Sequence, residues 1–412
     1  MSTTTTPDDG VTAAAPGSTG CPVTDFGRLR ETGPVVDVPG IGTRGAHMVT
    51  RHDDVRAMLT DPRFRSDAGS VDGAENAVSA LFAQIGIPPD LDFLGANLLT
   101  RDGADHTRLR KLVSRAFTVR RVNDLRPRVE TITDGLLDDV AAAAAGGRAV
   151  DLVAAFSYPL PIAVICELVG VPEDMRPAWR ELGRLMVAPE PERMPEAARA
   201  VVAQVRQLIS ERRAEPADDL VTALVRVHSD DGDRLTEREM TTLVFDLVTA
   251  GFETTAHLIS KATLALLTRP DQVAALRSDP ELWPRAVHEL VRTCGPIPTS
   301  LPRYAAADVR VGDVTVAEGS TVMAGLLTAN FDPRVRDRPE DLDVRRDTGR
   351  GEGHLGFGQG AHYCLGAALA RQETEVALRA LFDRFDDLRL AEPDEEPSQL
   401  GFARLTELQI RV

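Results

Sequence analysis

His354-Leu355-Gly356-Phe357-Gly358-Gln359-Gly360-Ala361-His362-Tyr363-Cys364-Leu365-Gly366 is the stretch from which the rest of the chain can be read. Gly358 and Gly360 permit a tight turn and let the backbone approach a flat ligand closely. Cys364 then stands at the start of a helix beginning near Leu365, where peptide N–H groups stabilise a thiolate and a coordinated metal ion would favour deprotonation further. On these residues alone, a metal ligand and an ordinary buried cysteine beside a glycine turn both remain open.

Working outward, 331–353 is a polar coil rich in Arg and Asp, preceded by β-like pieces at 309–317, while Leu408 to Val412 is expected to close a small sheet. Glu281 to Thr293 predicts a helix on which Glu289 and Arg292, three apart, turn the same way; by itself this is a common surface pair. Glu237 to Thr268 predicts a long helix, apolar at Leu243, Val244, Phe245, Leu247 and Val248 and interrupted by Ala250-Gly251-Phe252-Glu253-Thr254-Thr255. Gly251 removes bulk there, and Thr254 either bonds back to a helix carbonyl or presents its hydroxyl to a ligand. A helix kink is the plainer reading of that segment.

Further helices are expected at 106–116, 124–145, 151–169, 173–187, 195–213 and 217–228, and a short strand at Ala46 to Thr50 ahead of another helix. Residues 68–105 contain helical patches broken by Gly69, Gly73, Gly86, Pro88 and Pro89, which suggests an adaptable lid or pocket wall. The resulting fold class is mainly α with a minor β region. Residues 1–22 read as a disordered tail and 23–412 as a single domain.

The composition is that of a folded globular protein: 412 residues, 43% hydrophobic and 27% charged. A formal charge of −16 disfavours general binding to nucleic acid or anionic membranes. Cys21, Cys166, Cys294 and Cys364 are too widely spaced for a disulfide framework or paired-cysteine zinc site. His47, His52, His228, His257 and His288 show no metal-ligand spacing. With no signal core and no apolar run of membrane-spanning length, a soluble, reduced, cytoplasmic protein without a membrane anchor is expected.

The cysteine loop resembles the cysteine-ligand loop of the cytochrome P450 family. Glu289-Leu290-Val291-Arg292, Ala250 to Thr255, and His106-Thr107-Arg108-Leu109-Arg110 follow the family's order, and the similarity runs from about Val35 to the carboxyl terminus. The resemblance implies a triangular helical body, with haem b held between a long central helix and the cysteine loop. It implies that Cys364 is the thiolate ligand, that Phe357 packs beside the sulfur, and that Gly358 and Gly366 are among the haem-binding residues. His106, Arg110, Arg303 and His362 are expected at the propionates, and Ala250 and Gly251 over the distal face. Glu253 and Thr254 resemble the acid–alcohol pair of proton delivery, and Cys364 joins them as a catalytic residue. Glu289 and Arg292 resemble a buried structural pair, with Arg346 or Arg345 as the third member.

The implied activity is haem-thiolate monooxygenation: one atom of O₂ inserted into a lipophilic organic substrate by hydroxylation or epoxidation. The substrate classes implied are macrolides, other polyketides, terpenoids and steroids. Without a dinucleotide or flavin motif, the chain requires electrons from a ferredoxin and its NAD(P)H-dependent reductase, and Arg110, Lys111, Arg115, Arg120, Arg121 and Arg371 are candidates for a basic docking surface. A monomer is expected. The Arg-rich, Lys-poor composition suggests a high-GC bacterial source and a role in secondary metabolism such as antibiotic biosynthesis. Two alternatives are a peroxide-driven peroxygenase and a non-catalytic haem or small-ligand binding protein. Three departures from the family's pattern stand out: Gly103-Ala104 where two prolines are common, Leu342 in place of an aromatic, and Phe331 where Arg is frequent.

Overall fold

The computed structural model describes residues 22–38, 46–187, 190–227, 232–348, 351–391, 399–400 and 404–412. The expected tail lies outside these, except that Pro22 already opens a helix running to Thr32. Helices dominate and small sheets sit at the edges, so the mainly α class holds.

The organising element is the central helix, Glu237–Leu267. Its start is fixed by a capping box: the Thr236 hydroxyl accepts from the Glu239 N–H at 3.2 Å, and Glu239 Oε2 accepts from the Thr236 N–H at 2.8 Å. Arg108, from the helix Gly103–Ala116, pairs with Glu239 and with Asp233, so a second helix is tied to the same end. Further along, the central helix packs against Pro159–Val169 and against the terminal helix Ala367–Arg384. A Cβ at Gly251 would lie 3.2 Å from Ile165, so the bulk this glycine lacks is used for close helix packing. Phe252 makes an edge-on ring contact with Tyr158 at 5.7 Å and is completely buried.

The helix expected at 151–169 is corrected. Val150–Asp151 is a strand, Val153–Ser157 is a single π-helical turn closed by Tyr158 N–H to Val153 O at 3.0 Å, and the α-helix starts at Pro159. Long-range pairing explains the difference: Val150 and Asp151 pair with Ile410 and Gln409. That strand, Gln409–Arg411, is the middle of a three-stranded sheet, as expected for the carboxyl end. The helix expected from 124 begins earlier, at Val119, because the Thr118 hydroxyl caps the Arg121 N–H at 3.2 Å. Pro127 is accommodated within it.

A five-stranded sheet carries the strands Val35–Val38, Ala46–Val49, Thr321–Ala324, Arg303–Ala305 and Phe64–Arg65 in that order. It brings Arg303 and the residues after Arg65 toward the glycine-rich loop. The expected lid, 68–105, is short helical pieces at Ala77–Gln84, Pro89–Gly95 and Leu98–Thr100. Among the described residues no helix is long and apolar enough to cross a membrane.

Candidate functional site

The cysteine loop is shaped by its own backbone. Gly358 N–H bonds Leu355 O at 2.9 Å, Tyr363 N–H bonds Gly360 O at 3.1 Å, and Cys364 N–H bonds Phe357 O at 3.0 Å. Gly360 is required twice over, since its φ is +76° and a Cβ would lie 2.9 Å from Leu59 O. The terminal helix begins at Ala367, two residues later than expected, with Gly366 at its N-cap.

Behind the loop, Arg292 and Glu289 are 1% and 3% exposed and form a two-point ion pair at 2.7 and 2.8 Å. Arg292 also donates to Asn330 O at 3.0 Å, and Asn330 Oδ1 accepts the Leu355 N–H at 2.7 Å. The pair therefore holds the entrance to the cysteine loop. Arg346 is the third member, with Nε 3.0 Å from Glu289 Oε1, while Arg345 is exposed. Phe331, one of the departures, is buried 5.3 Å from the Arg292 guanidinium in a cation–π contact.

Burial pushes the Cys364 thiol up, and the Gly366 N–H together with the Arg110 and Arg371 charges draws it down. Cys166 and Cys294 are fully enclosed, with burial raising both thiols, Cys166 to about 11. They are core residues. Cys21 and His228 lie outside the described residues.

Four nitrogen-bearing side chains gather beside the loop. Arg110 donates to Tyr363 O at 2.8 Å, and Arg303 donates to Leu59 O at 3.1 Å. His106 and His362 face each other with ring centroids 4.3 Å apart. Among the described residues neither Arg110 nor Arg303 has a carboxylate partner, and His106 Nε2 and His362 Nδ1 have no hydrogen-bond partner. Burial, then the charges of His362 and Arg110, push His106 down to about 4; burial lowers Arg110 and Arg303 as well. Such a cluster is costly without anions, and the two propionates of haem b match its donors. Haem therefore fits these residues. A Cβ at Gly366 would meet nothing within 4 Å, and at Gly358 nothing nearer than 3.9 Å, so the loop backbone leaves room for a flat ring.

Asp102 is a neighbour that sequence reasoning passed over. Its Oδ2 accepts the N–H groups of Ser66 at 2.7 Å and Asp67 at 2.8 Å, and Oδ1 lies 3.7 Å from His362. Burial opposes its charge, but the His362 contact and the two N–H groups outweigh that and hold its pKa below the usual value. Gly103, with φ +58°, makes the sharp helix entry that places Asp102 there. Also unforeseen is the group of Tyr363 and Glu352, bonded at 2.7 Å, with Arg371 paired to Glu352 and lying 5.5 Å from the Phe357 ring. Arg371 is thus partly committed inward, and is less available to a docking surface than its sequence position suggests.

On the central helix, Glu253 and Thr254 point differently. Glu253 is 7% exposed, whereas Thr254 is on the more open face and donates its hydroxyl to Ala250 O at 2.8 Å. Ala250 is the one residue between 241 and 260 that is openly exposed.

The Cytochrome P450 family profile matches residues 171–408. Cytochrome P450 107B1 of Saccharopolyspora erythraea is 43% identical over 90% of this chain and 89% of its own. The 6-deoxyerythronolide B hydroxylase of the same organism is 45% identical, covering 89% of each chain. The solved structure of the Bacillus subtilis cytochrome P450 PksS superposes with a TM-score of 0.84 at 34% identity, over 95% of this chain and 96% of that one. With this fold, this site and relatives matched over nearly their whole length, the chain belongs to the cytochrome P450 family, whose haem-thiolate monooxygenase chemistry it shares.

Proposed function

We propose that Cys364 supplies the thiolate ligand of haem b, that His106, Arg110, Arg303 and His362 take its propionates, and that Ala250 and Gly251 border the distal face. The convergence of unpaired donors at His106 and His362 beside the Cys364 loop carries this reading. Bound there, haem supplies the electron-transfer and O₂ chemistry that inserts one oxygen atom into a C–H bond or an alkene.

The chain's own residues position and protonate. Phe357 and Leu365 pack onto the main apolar core and limit water near the sulfur. Arg110 fixes the carbonyl immediately before Cys364, and Asp102 steadies His362 on the other side of the loop. Thr254 Oγ1 is the last proton carrier: it releases the Ala250 carbonyl and turns its hydroxyl toward the oxygen site. Glu253 resupplies it from the buried side of the helix. Residues 23–412 act as one catalytic domain.

Electrons come from a ferredoxin reduced by an NAD(P)H-dependent reductase, docking against a basic surface to which Lys111, Arg115, Arg120 and Arg121 contribute. The substrate is a lipophilic polyketide, macrolides included, in keeping with relatives named as hydroxylases of 6-deoxyerythronolide B and mycinamicin IV. The test is turnover of a macrolactone panel under ¹⁸O₂ with ferredoxin, reductase and NADPH, read by mass spectrometry. One labelled oxygen per product is expected. Oxygenation driven by hydrogen peroxide but never by reduced ferredoxin would overturn the reading.

A further inference from the structure

Between residues 241 and 260 of the central helix, Asp246, Leu247, Ala250, Gly251 and Thr254 are the positions that fall short of full burial. Their spacing of one, four, five and eight residues from Asp246 describes a single helical face. Asp246 therefore stands in line with Ala250 and Thr254, two turns nearer the amino end. Every other position on that stripe is apolar or carries one small hydroxyl.

The Asp246 carboxyl is half used. Oδ1 accepts from Asn97 Nδ2 at 3.4 Å, whereas Oδ2 is shielded from solvent and has no hydrogen-bond partner among the described residues. Asn97 has little more to give, because its own Oδ1 is taken by the Leu99 N–H at 2.9 Å and it is 9% exposed. An unpaired carboxyl shielded from water is expensive in an apolar wall. Packing alone does not account for an acid here.

We propose that Asp246, oriented by Asn97, is a specificity-determining residue that anchors a hydroxyl group of a neutral, oxygenated lipophile, about 12 Å along the helix from Thr254 at 1.5 Å per residue. This rests on the reading of the Ala250–Thr254 face as a wall of the oxygenation site. Among the described residues no cation bears on Asp246, and burial, opposed by the Asn97 bond alone, raises its pKa well above the usual value. The side chain is then the neutral acid, which donates one hydrogen bond and accepts another, the pattern a hydroxyl completes. An ammonium would instead require the ionised form in a place that disfavours it. The anchor and Thr254 together define a ruler: the oxidised carbon lies roughly 12 Å from the anchored hydroxyl, given the same helical rise.

The test is equilibrium binding to the ferric holoenzyme, by calorimetry and by the haem absorption shift, of 1-decanol, decyl methyl ether and decyltrimethylammonium. The ether lacks the donor, and the quaternary ammonium cannot ligate iron. Wild type is expected to bind 1-decanol about five- to tenfold more tightly than the ether, the scale of one neutral hydrogen bond. Asp246→Leu should erase that preference while still binding the ether, and Asp246→Asn should retain it. A preference that survives in Asp246→Leu overturns the proposal. So does a wild-type preference for decyltrimethylammonium that Asp246→Asn abolishes, since that marks a cation site. Failure of all three probes to bind wild type would overturn the wall itself, and the anchor with it, whereas equal binding in wild type and Asp246→Leu sinks the anchor alone.

Discussion

Arg292 grips Glu289 through two parallel bonds, Nε to Oε2 at 2.7 Å and Nη2 to Oε1 at 2.8 Å, with both side chains almost wholly buried. Because Arg292 also donates to the carbonyls of Asn330, Pro339 and Asp341, removing either partner leaves more than one group unsatisfied. Glu289→Ala or Arg292→Ala should cost about 3–5 kcal/mol and lower the yield of haem-loaded protein. Arg346→Ala should follow more weakly, and Arg345→Ala should behave as wild type. Thermal denaturation together with the haem-to-protein absorbance ratio checks all four.

His354 gives the stability a pH dependence. Burial, then the adjacent His288, pushes its imidazole down to about 3 from 6.5, and its Nδ1 accepts the Gly356 N–H at 3.2 Å, which requires that nitrogen to be unprotonated. Since the folded pKa lies below the unfolded one, the unfolded chain binds more protons between about pH 3 and 6.5. Stability therefore rises with pH across that window and falls on acidification. At about 1.4 kcal/mol per pH unit, acidification to pH 5 should cost on the order of 2 kcal/mol. Melting curves of His354→Gln should show a shallower dependence between pH 5 and 7; an unchanged slope would remove His354 from the account.

Two glycines of the loop should separate folding from haem seating. Gly360→Ala places a Cβ 2.9 Å from Leu59 O at a φ of +76°, so it should destabilise the protein by about 1–3 kcal/mol even before haem is bound. Gly366→Ala meets nothing within 4 Å. It should leave the haem-free protein as stable as wild type and slow or weaken haem uptake. Melting of haem-free protein and haem titration distinguish the two effects.

Much of this was legible in the sequence because the informative contacts are local, although spacing alone gave only a common surface pair at Glu289 and Arg292 and the family resemblance supplied its burial. Glu289 and Arg292 are three residues apart on one helix, the His106–Arg110 spacing faces both side chains the same way, and the turn around Gly358 and Gly360 is closed by bonds within the ten residues from Leu355 to Cys364. What escaped depends on distant partners. Val150 and Asp151 become a strand because Ile410 and Gln409 pair with them, which helical periodicity cannot register. Asp102 matters through Ser66, Asp67 and His362, and Asp246 through Asn97. Asp246 did leave a signal, a lone acid in the apolar run from Leu243 to Val248, but the sequence alone does not say which face it occupies.

Thr254 should govern coupling between electrons and product. Its hydroxyl rests on Ala250 O at 2.8 Å on the open face of the central helix, a position from which it can turn to carry a proton. Thr254→Ala should retain the wild-type haem spectrum but divert most reducing equivalents into hydrogen peroxide. NADPH consumed, peroxide released and product formed are measured in one reaction. Wild-type coupling in Thr254→Ala and in Glu253→Gln would remove both residues from proton delivery.

The most direct test of the account is the absorption spectrum of the reduced carbon monoxide complex in Cys364→Ser. Wild type, Cys166→Ser and Cys294→Ser should all show the red-shifted band of a thiolate-ligated haem, and Cys364→Ser should lose it, since serine cannot reproduce the sulfur donor. A Cys364→Ser protein that retains the band would place the ligand elsewhere and contradict the site described for this chain.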